Sequence, residues 1–316
     1  MNLRPYKFKP LLKTVIWGGE KIVAFKGIDS ELHQVGESWE LSGVEGHESV
    51  VDGGPDDGLT LTQLIERHGA ELVGERVYRK HGTKFPLLVK LIDAQRDLSV
   101  QVHPDDEMAQ RVHGCSGKTE MWYVIDHEPG AQIMAGFSRD ITPDEYDRRV
   151  ADGTIMDVVR HYSSHRGQVF FLPAGRIHAI GGGNLIAEIQ QTCDITYRVF
   201  DYNRVDQDGH QRQLHTALAR QALTFTASTT QSESSTDDDM LVSCPQFVVC
   251  RHLVDGNTDM ILPDAFMVMM CIAGNAQVID NYGEVTTLRC GETTLIPASH
   301  THLSIHGKAT LITAYC

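Results

Sequence analysis

The chain has 316 residues, of which 41% are hydrophobic and 22% charged, the proportions of a globular protein with room for two domains. Its formal net charge of −14 argues against non-specific binding to nucleic acid, which needs a clustered basic face. Residues 1–19 carry scattered charges without an uninterrupted apolar run, and no later stretch is apolar for long enough to cross a bilayer, so we expect neither a signal peptide nor a membrane span.

Short β-branched and aromatic runs, broken by Gly, Pro and Asp, occupy most of the chain and are typical of a β-sandwich or barrel. In chain order we predict strands at 85–92, 98–103, 120–125, 168–172, 184–189, 246–251, 265–272 and 293–296. Few helices interrupt them. Thr60 and Gln63 form a capping box, Thr142 caps a second helix that has Pro at its first position, and residues 213–223 give a weaker third.

A polar stretch at 227–239, ASTTQSESSTDDD, has no apolar periodicity and is predicted to be a linker. It would separate an N-terminal catalytic domain, residues 1–226, from a C-terminal domain, residues 240–316. The alternative is a long surface loop within a single domain.

The two parts share an internal sequence repeat. Gly167, Pro173, Gly175 and His178 have the spacing G-x5-P-x-G-x2-H, and residues 291–302 repeat it with Ser in place of the second Gly. In each copy a Gly opens a strand and a Pro-x-Gly/Ser turn directs the following His inward. This repeat suggests duplicated β-barrels.

Three segments carry side chains with the character of metal ligands. Gln101 and His103 alternate in an apolar strand, so both side chains share one face near the end of that strand. Glu120 opens the next predicted strand, and His178 follows the Pro-Ala-Gly turn. Two imidazoles, one carboxylate and one amide oxygen suit Zn²⁺ or another divalent ion, and the sequence alone leaves iron open.

Longer motifs surround these residues: QVHPDD at 101–106, GKTEMWY at 117–123, PAGRIHAIGGG at 173–183, EIQQTCDITYRVFDY at 188–202 and GESWELS at 36–42. In order and spacing they closely resemble the phosphomannose isomerase family in its short bacterial form, and the resemblance covers nearly the whole chain. The first motif has Gln where many cupins have His, and sixteen residues separate His103 from Glu120 instead of three or four. The isomerase family shares both features.

The resemblance implies a mainly β fold of two cupin-like jelly-roll barrels with a few short inserted helices, the second barrel being degenerate. It implies one Zn²⁺ per chain and interconversion of mannose 6-phosphate and fructose 6-phosphate through an enediolate. The implied metal ligands are Gln101, His103, Glu120 and His178; the implied catalytic residues are Arg198, Lys118 and Asp194. In the second barrel His302 is present, but no H-x-H or Q-x-H occurs between Phe266 and Tyr282, so we expect that barrel to bind no metal.

Several alternatives stay open. One is a sugar-binding or regulatory cupin protein, which would keep the metal ligands but would not need Lys118 and Arg198. Another is an iron-dependent cupin oxygenase, which would bind its metal with two His and one carboxylate. Asp194 and Arg198 could instead form a structural ion pair, and the sequence does not identify the general base. The partner we expect is a small sugar phosphate, with no nucleic acid and no membrane. Seven scattered cysteines without a C-x-x-C pair indicate reduced thiols in the cytoplasm.

Overall fold

The computed structural model describes residues 3–205, 209–227, 231–232 and 240–316, and of residues 231–232 only the backbone. The strands are β1 (Phe8–Lys9), β2 (Leu11–Gly19), β3 (Val35–Ser42), β4 (Val50–Val51), β5 (Leu87–Ala94), β6 (Val100–Val102), β7 (Glu120–His127), β8 (Gln132–Phe137), β9 (Val159–Ser163), β10 (Val169–Leu172), β11 (His178–Ile180), β12 (Asn184–Gln191), β13 (Tyr197–Phe200), β14 (Gln231–Ser232), β15 (Met240–Ser243), β16 (Val248–Ile261), β17 (Met267–Asp280), β18 (Val285–Arg289), β19 (Thr293–Ile296) and β20 (His302–Tyr315). The predicted mainly β fold is confirmed.

Seven α-helices lie between these strands in the described part of the chain: α1 (Lys21–Lys26), α2 (Leu61–His68), α3 (Ala70–Val73), α4 (Glu75–His81), α5 (Asp106–His113), α6 (Pro143–Ala151) and α7 (Thr216–Ala222), with a 3₁₀ turn at Ile155–Val158. The capping box of Thr60 and Gln63 begins α2, and the Thr142 hydroxyl accepts a hydrogen bond from the Glu145 amide at the start of α6. No described helix is both long and apolar enough to span a membrane.

In the described residues, the N-terminal part has two large antiparallel sheets and a small one in which β1 pairs with β4. The seven-stranded sheet has the order β14-β10-β7-β12-β5-β2-β3, and the five-stranded sheet has the order β13-β6-β11-β8-β9. Trp122 and Ile186 of the larger sheet pack against Ile133 and Ile180 of the smaller one. The two sheets thus form a sandwich, and its interior positions are set by the period-two alternation of each strand.

The remaining strands, β15 to β20, form a six-stranded sheet in the order β15-β16-β20-β17-β18, with β19 beside β17. Val268 and Ile312 of this sheet belong to the same core as Leu41 and Val89 of the larger N-terminal sheet. The larger sheet is therefore covered on both faces, which explains why every residue of β5 is buried.

The predicted linker at 227–239 lies mostly outside the described residues. Within it, the backbone of β14 pairs with β10, so residues 231–232 belong to the larger N-terminal sheet. The division into residues 1–226 and 240–316 stays a prediction.

The two copies of the internal sequence repeat form similar strand–turn–strand units. In the first copy β10 leads through the Pro173 turn to β11, which His178 opens; in the second, β19 leads through the Pro297 turn to β20, which His302 opens. The side chain of His302 is exposed, whereas that of His178 is buried. Among the described residues only one cluster of His, Cys, Asp or Glu is close enough to hold a metal, and it lies in the first copy. That the second barrel binds no metal remains an expectation.

Candidate metal centre and active site

A row of polar residues crosses the smaller N-terminal sheet. His178 on β11 lies directly opposite Gln101 on β6, which in turn lies opposite Arg198 on β13. Residues opposite one another in adjacent antiparallel strands project from the same face. Strand pairing thus brings together three side chains that are up to 97 positions apart in the sequence.

His178 of this row also forms a buried triad with His103 and Glu120. Their candidate ligand atoms all lie within 4.8 Å of one another. His103 Nε2 is 3.4 Å from Glu120 Oε2, and His178 Nε2 is 3.2 Å from Glu120 Oε1. The two Nε2 atoms are 3.1 Å apart, and each of the three residues is at most 1% exposed.

The hydrogen bonds of the imidazoles fix their tautomers. His103 Nδ1 donates to the Ile195 carbonyl at 2.9 Å, and His178 Nδ1 donates to the Arg176 carbonyl at 2.8 Å. Burial lowers the pKa of His103 to about 4 and also lowers the pKa of His178, so both rings are neutral near pH 7. Each Nε2 therefore presents a lone pair to the other ring and to Glu120.

Glu120 completes the triad, in which its two carboxylate oxygens face the Nε2 lone pairs of the two imidazoles, so hydrogen-bond acceptors face one another. Neither of its carboxylate oxygens has a hydrogen-bond partner among the described residues. Burial opposes its ionisation, but the nearby Lys118 ammonium outweighs burial and holds the pKa of Glu120 well below its usual range. Lys118 lies 3.2 Å from one carboxylate oxygen, but no described donor faces the two imidazole lone pairs, and a His Nδ1–H donated to a backbone carbonyl is the usual support of a metal-binding imidazole. The donor set therefore fits a divalent metal ion.

A cavity of about 240 Å³ lies beside the triad. Its polar and aromatic lining comprises Lys13, Lys90, Lys118, Arg198, Arg212, Glu37, Glu188, Asp194, Ser99, Gln101, Thr196, Trp17, Trp39 and Trp122. Five basic side chains thus face three acidic ones, an excess of positive charge in a chain whose net charge is −14. Such a cavity attracts a small anion that the molecule as a whole would repel.

The structure brings the sequence-predicted residues together in two adjoining groups. Gln101, Lys118, Asp194 and Arg198 line the cavity, while His103, Glu120 and His178 form the triad. Lys118 connects the two groups, since its Nζ lies 3.2 Å from Glu120 Oε2. All seven residues thus lie in one place. Their roles as ligands and catalysts stay predictions.

Arg198 is held by neutral groups. Its Nε donates to Ser99 Oγ at 3.2 Å and its Nη1 to the Gln213 carbonyl at 2.9 Å. No ion pair joins it to a carboxylate in the described part of the chain, so the structure does not show the alternative Asp194–Arg198 pair. Arg212 nearby is engaged with Asp201 at 2.6 and 2.8 Å. Arg198 consequently faces the cavity with its charge uncompensated by a direct partner.

A second row, which the sequence did not predict as a site, crosses four strands of the larger sheet. Trp39 on β3, Lys90 on β5, Glu188 on β12 and Trp122 on β7 lie opposite one another in turn. Lys90 Nζ is 3.1 Å from Glu188 and 4.0 Å from Glu37, and burial of Lys90 is outweighed by these carboxylates, which raise its pKa. The indoles of Trp122 and Trp39 donate to Glu188 and Glu37 at 2.8 and 2.6 Å.

Replacement of this lysine, Lys90→Met, should lower the free energy of unfolding by about 3–5 kcal/mol, because it leaves the buried Glu188 and the partly buried Glu37 without their cation. Urea denaturation measures the effect. The matched control is Lys13→Met: Lys13 lies over the Trp39 ring at 3.2 Å and is less buried, so its loss should cost no more than about 1 kcal/mol. Equal stability of Lys90→Met and the unaltered protein would contradict the buried network.

Comparisons with known proteins agree on one family. The model of the phosphomannose isomerase type I catalytic domain matches residues 6–136, and that of the mannose-6-phosphate isomerase cupin domain matches residues 237–316. Mannose-6-phosphate isomerase ManA of Bacillus subtilis is 33% identical over 100% of both chains. Mannose-6-phosphate isomerase of Streptococcus mutans is 33% identical over 95% of this chain and 94% of its own.

Solved structures agree as well. The crystal structure of the mannose 6-phosphate isomerase from Bacillus subtilis matches with a TM-score of 0.88 at 31% identity and covers 99% of each chain. A mutant of phosphomannose isomerase from Salmonella typhimurium matches with a TM-score of 0.81 over 98% of this chain and 99% of its own. At 14% identity, the second likeness concerns the fold alone. The predicted cupin-like fold and the resemblance inferred from the sequence are confirmed.

Proposed function

The chain belongs to the mannose-6-phosphate isomerase family, and on that premise we propose that it interconverts mannose 6-phosphate and fructose 6-phosphate with one Zn²⁺ per chain. It is an aldose–ketose isomerase. The observation that carries the proposal is the acceptor-only triad of His103, Glu120 and His178 beside a cavity with excess positive charge. A sugar phosphate matches that cavity in charge and polarity.

The metal would be held by His103, Glu120 and His178, with the amide oxygen of Gln101 as fourth ligand. Gln101 supports this assignment because it lines the cavity and lies opposite His178. When bound, a divalent ion at this site supplies electrostatic stabilisation for negative charge that develops on the sugar oxygens. The family relationship favours this isomerase over the oxygenase and the sugar-binding protein considered above.

The chain's own residues perform the remaining tasks. Isomerisation moves a proton between C1 and C2 and passes through a negatively charged enediolate. Arg198, fixed by Ser99 and the Gln213 carbonyl, provides a permanent positive charge for the enediolate or the phosphate. Lys118 and Asp194 line the cavity and are the candidates for moving the proton. His103 is less suited to this task, because its Nδ1 donates to the Ile195 carbonyl and its Nε2 faces Glu120 within the triad.

The three indoles of the cavity give the sugar apolar walls, and the Trp39–Lys90–Glu188–Trp122 row holds two of those walls in place. We also propose a cytoplasmic location, since all seven cysteines are free thiols.

Incubation of the metal-loaded protein with three sugars tests this function. Fructose 6-phosphate should form from mannose 6-phosphate, while glucose 6-phosphate should give none, and free mannose should react at least about 100-fold more slowly because it lacks the charge that the cavity attracts. Absence of turnover on mannose 6-phosphate in fully metal-loaded protein would contradict the proposal. Equal rates on mannose and mannose 6-phosphate would contradict the role of the basic cavity.

A further inference from the structure

Two segments beside the candidate active site are joined to each other by hydrogen bonds. The loop at residues 114–119, between α5 and β7, lies against residues 191–196, between β12 and β13. Ser116 Oγ donates to the Thr192 carbonyl at 2.9 Å, and the Thr119 amide donates to Gln191 Oε1 at 2.9 Å. The backbone N–H of Gln191 also donates to the backbone carbonyl of Thr119 at 3.1 Å. A change at one segment is therefore transmitted directly to the other.

Each segment positions a different part of the site. The first contains Lys118 and leads into Glu120. The second contains Asp194, and the carbonyl of Ile195 accepts the hydrogen bond that fixes the His103 ring. The relative position of the two segments consequently sets the distance between the Lys118–Glu120 pair and the anchor of His103.

Two cysteines face each other across this contact. Cys115 Sγ and Cys193 Sγ are 3.9 Å apart. Cys115 is half-buried, whereas Cys193 is 4% exposed and its sulfur accepts a hydrogen bond from the Ile195 amide at 3.4 Å. Cys115, the more exposed of the two, is therefore the sulfur that a dissolved peroxide reaches first, and burial raises the pKa of the Cys193 thiol to about 12.

We propose that Cys115 and Cys193 form a reversible disulfide, generated by a peroxide, that switches off the isomerase site. Hydrogen peroxide transfers one oxygen atom to the Cys115 sulfur as its O–O bond breaks, giving a sulfenic acid and one water molecule. The Cys193 sulfur then bonds to the Cys115 sulfur while the S–O bond breaks, and the Cys193 thiol proton leaves with the hydroxide as a second water. The two thiols supply the two electrons, and a dithiol reductant restores them.

The disulfide alters the site because it pulls the segments together. The sulfurs must close from 3.9 Å to a bond of about 2.05 Å. Because Cys193 adjoins Asp194 and lies two residues before Ile195, this movement displaces a cavity residue and the carbonyl that orients His103. A misplacement of about 1 Å at a reacting centre costs up to about 100-fold in rate, so we expect a loss of at least tenfold. Only this activity readout rests on the proposed function.

The test compares the metal-loaded protein with Cys115→Ser and, as a matched control, Cys290→Ser, which removes another half-buried thiol. Each protein is reduced, treated with graded hydrogen peroxide, alkylated and digested, and the linked peptides are identified by mass spectrometry. Turnover of mannose 6-phosphate is measured before peroxide, after peroxide and after dithiothreitol.

We expect a Cys115–Cys193 peptide in the unaltered protein and in Cys290→Ser, with at least a tenfold loss of turnover that dithiothreitol reverses. Cys115→Ser should keep its turnover at the same peroxide dose. A missing linked peptide, a linked protein with full turnover, or equal inactivation of Cys115→Ser would each overturn the switch. Reduced protein without turnover would overturn the proposed function instead, so the two failures are distinguishable.

Discussion

Replacement of Glu120 by Gln should remove the metal and, with it, almost all of the activity. The carboxylate supplies the only negative charge of the triad, and an amide supplies a neutral oxygen together with an N–H₂ group that can donate to an imidazole Nε2. We expect metal content below about a tenth of an ion per chain and a fall in kcat/KM of at least about a thousandfold, equivalent to about 4 kcal/mol. Metal analysis after gel filtration and steady-state kinetics measure the two effects.

The same substitution carries an independent readout. In the metal-free protein the amide leaves the buried Lys118 ammonium without its carboxylate partner, so metal-free Glu120→Gln should have a lower Tm than the metal-free unaltered protein. The control is Glu37→Gln, which also neutralises a carboxylate at the cavity, a partly buried one, but lies outside the triad. It should keep its metal. Full metal content in Glu120→Gln would contradict the assignment of Glu120 as a ligand.

Replacement of Arg198 by Ala should lower turnover by about 100- to 1000-fold while the metal content is unchanged. The guanidinium is held in place by Ser99 and a backbone carbonyl and has no carboxylate partner in the described part of the chain, so its charge is directed to the substrate. A rise in KM alone would assign it to the phosphate, and a fall in kcat alone would assign it to the enediolate.

Two further variants test whether the loss of turnover is specific to the guanidinium of Arg198. Arg198→Lys keeps the charge but not the fork of donors, so it should recover only part of the activity. Arg166→Ala removes an exposed arginine that is paired with Asp126 away from the cavity, and it should retain full turnover. Loss of metal from Arg198→Ala would make Arg198 a structural residue and contradict its proposed role.

Much of the candidate site could be predicted because its residues fall in long motifs. Gln101 and His103 alternate on one strand, and Lys118 precedes Glu120 by two residues, so local spacing already indicates which side chains act together. The turn before His178 is likewise a local signal, carried by Pro173 and Gly175. The structure brings these segments to one place, as the sequence predicted.

The row of Trp39, Lys90, Glu188 and Trp122 could not be predicted in the same way. Trp39 and Glu188 fall within the resemblance motifs, but their contact with Lys90 depends on the registers of β3, β5 and β12. A register shifted by one residue would move each side chain to the opposite face. Lys90 also stands in an apolar strand with no polar neighbour in sequence that would mark it as part of a site.

Some helix boundaries, in contrast, are marked by residues close together in the sequence, although our sequence analysis does not predict them. Asp105 caps α5 by accepting a hydrogen bond from the Met108 amide, and Gly114 ends it in the left-handed conformation, with φ of 68°. The helices that we predict from the sequence do not include α5. Similarly, the apolar spacing that begins at Leu64 continues to Leu72, but Gly69, with φ of 52°, divides it into α2 and α3.

Removal and restoration of the metal test the central claim most directly. The protein is treated with EDTA, dialysed, and titrated with Zn²⁺ or Fe²⁺ while formation of fructose 6-phosphate from mannose 6-phosphate is followed. We predict that the metal-free protein has no measurable turnover and that activity returns in proportion to Zn²⁺, reaching its maximum at about one ion per chain, the stoichiometry that a single four-ligand site allows. Full turnover in protein shown to be free of metal, or no turnover in protein loaded with one Zn²⁺ per chain, would contradict the account.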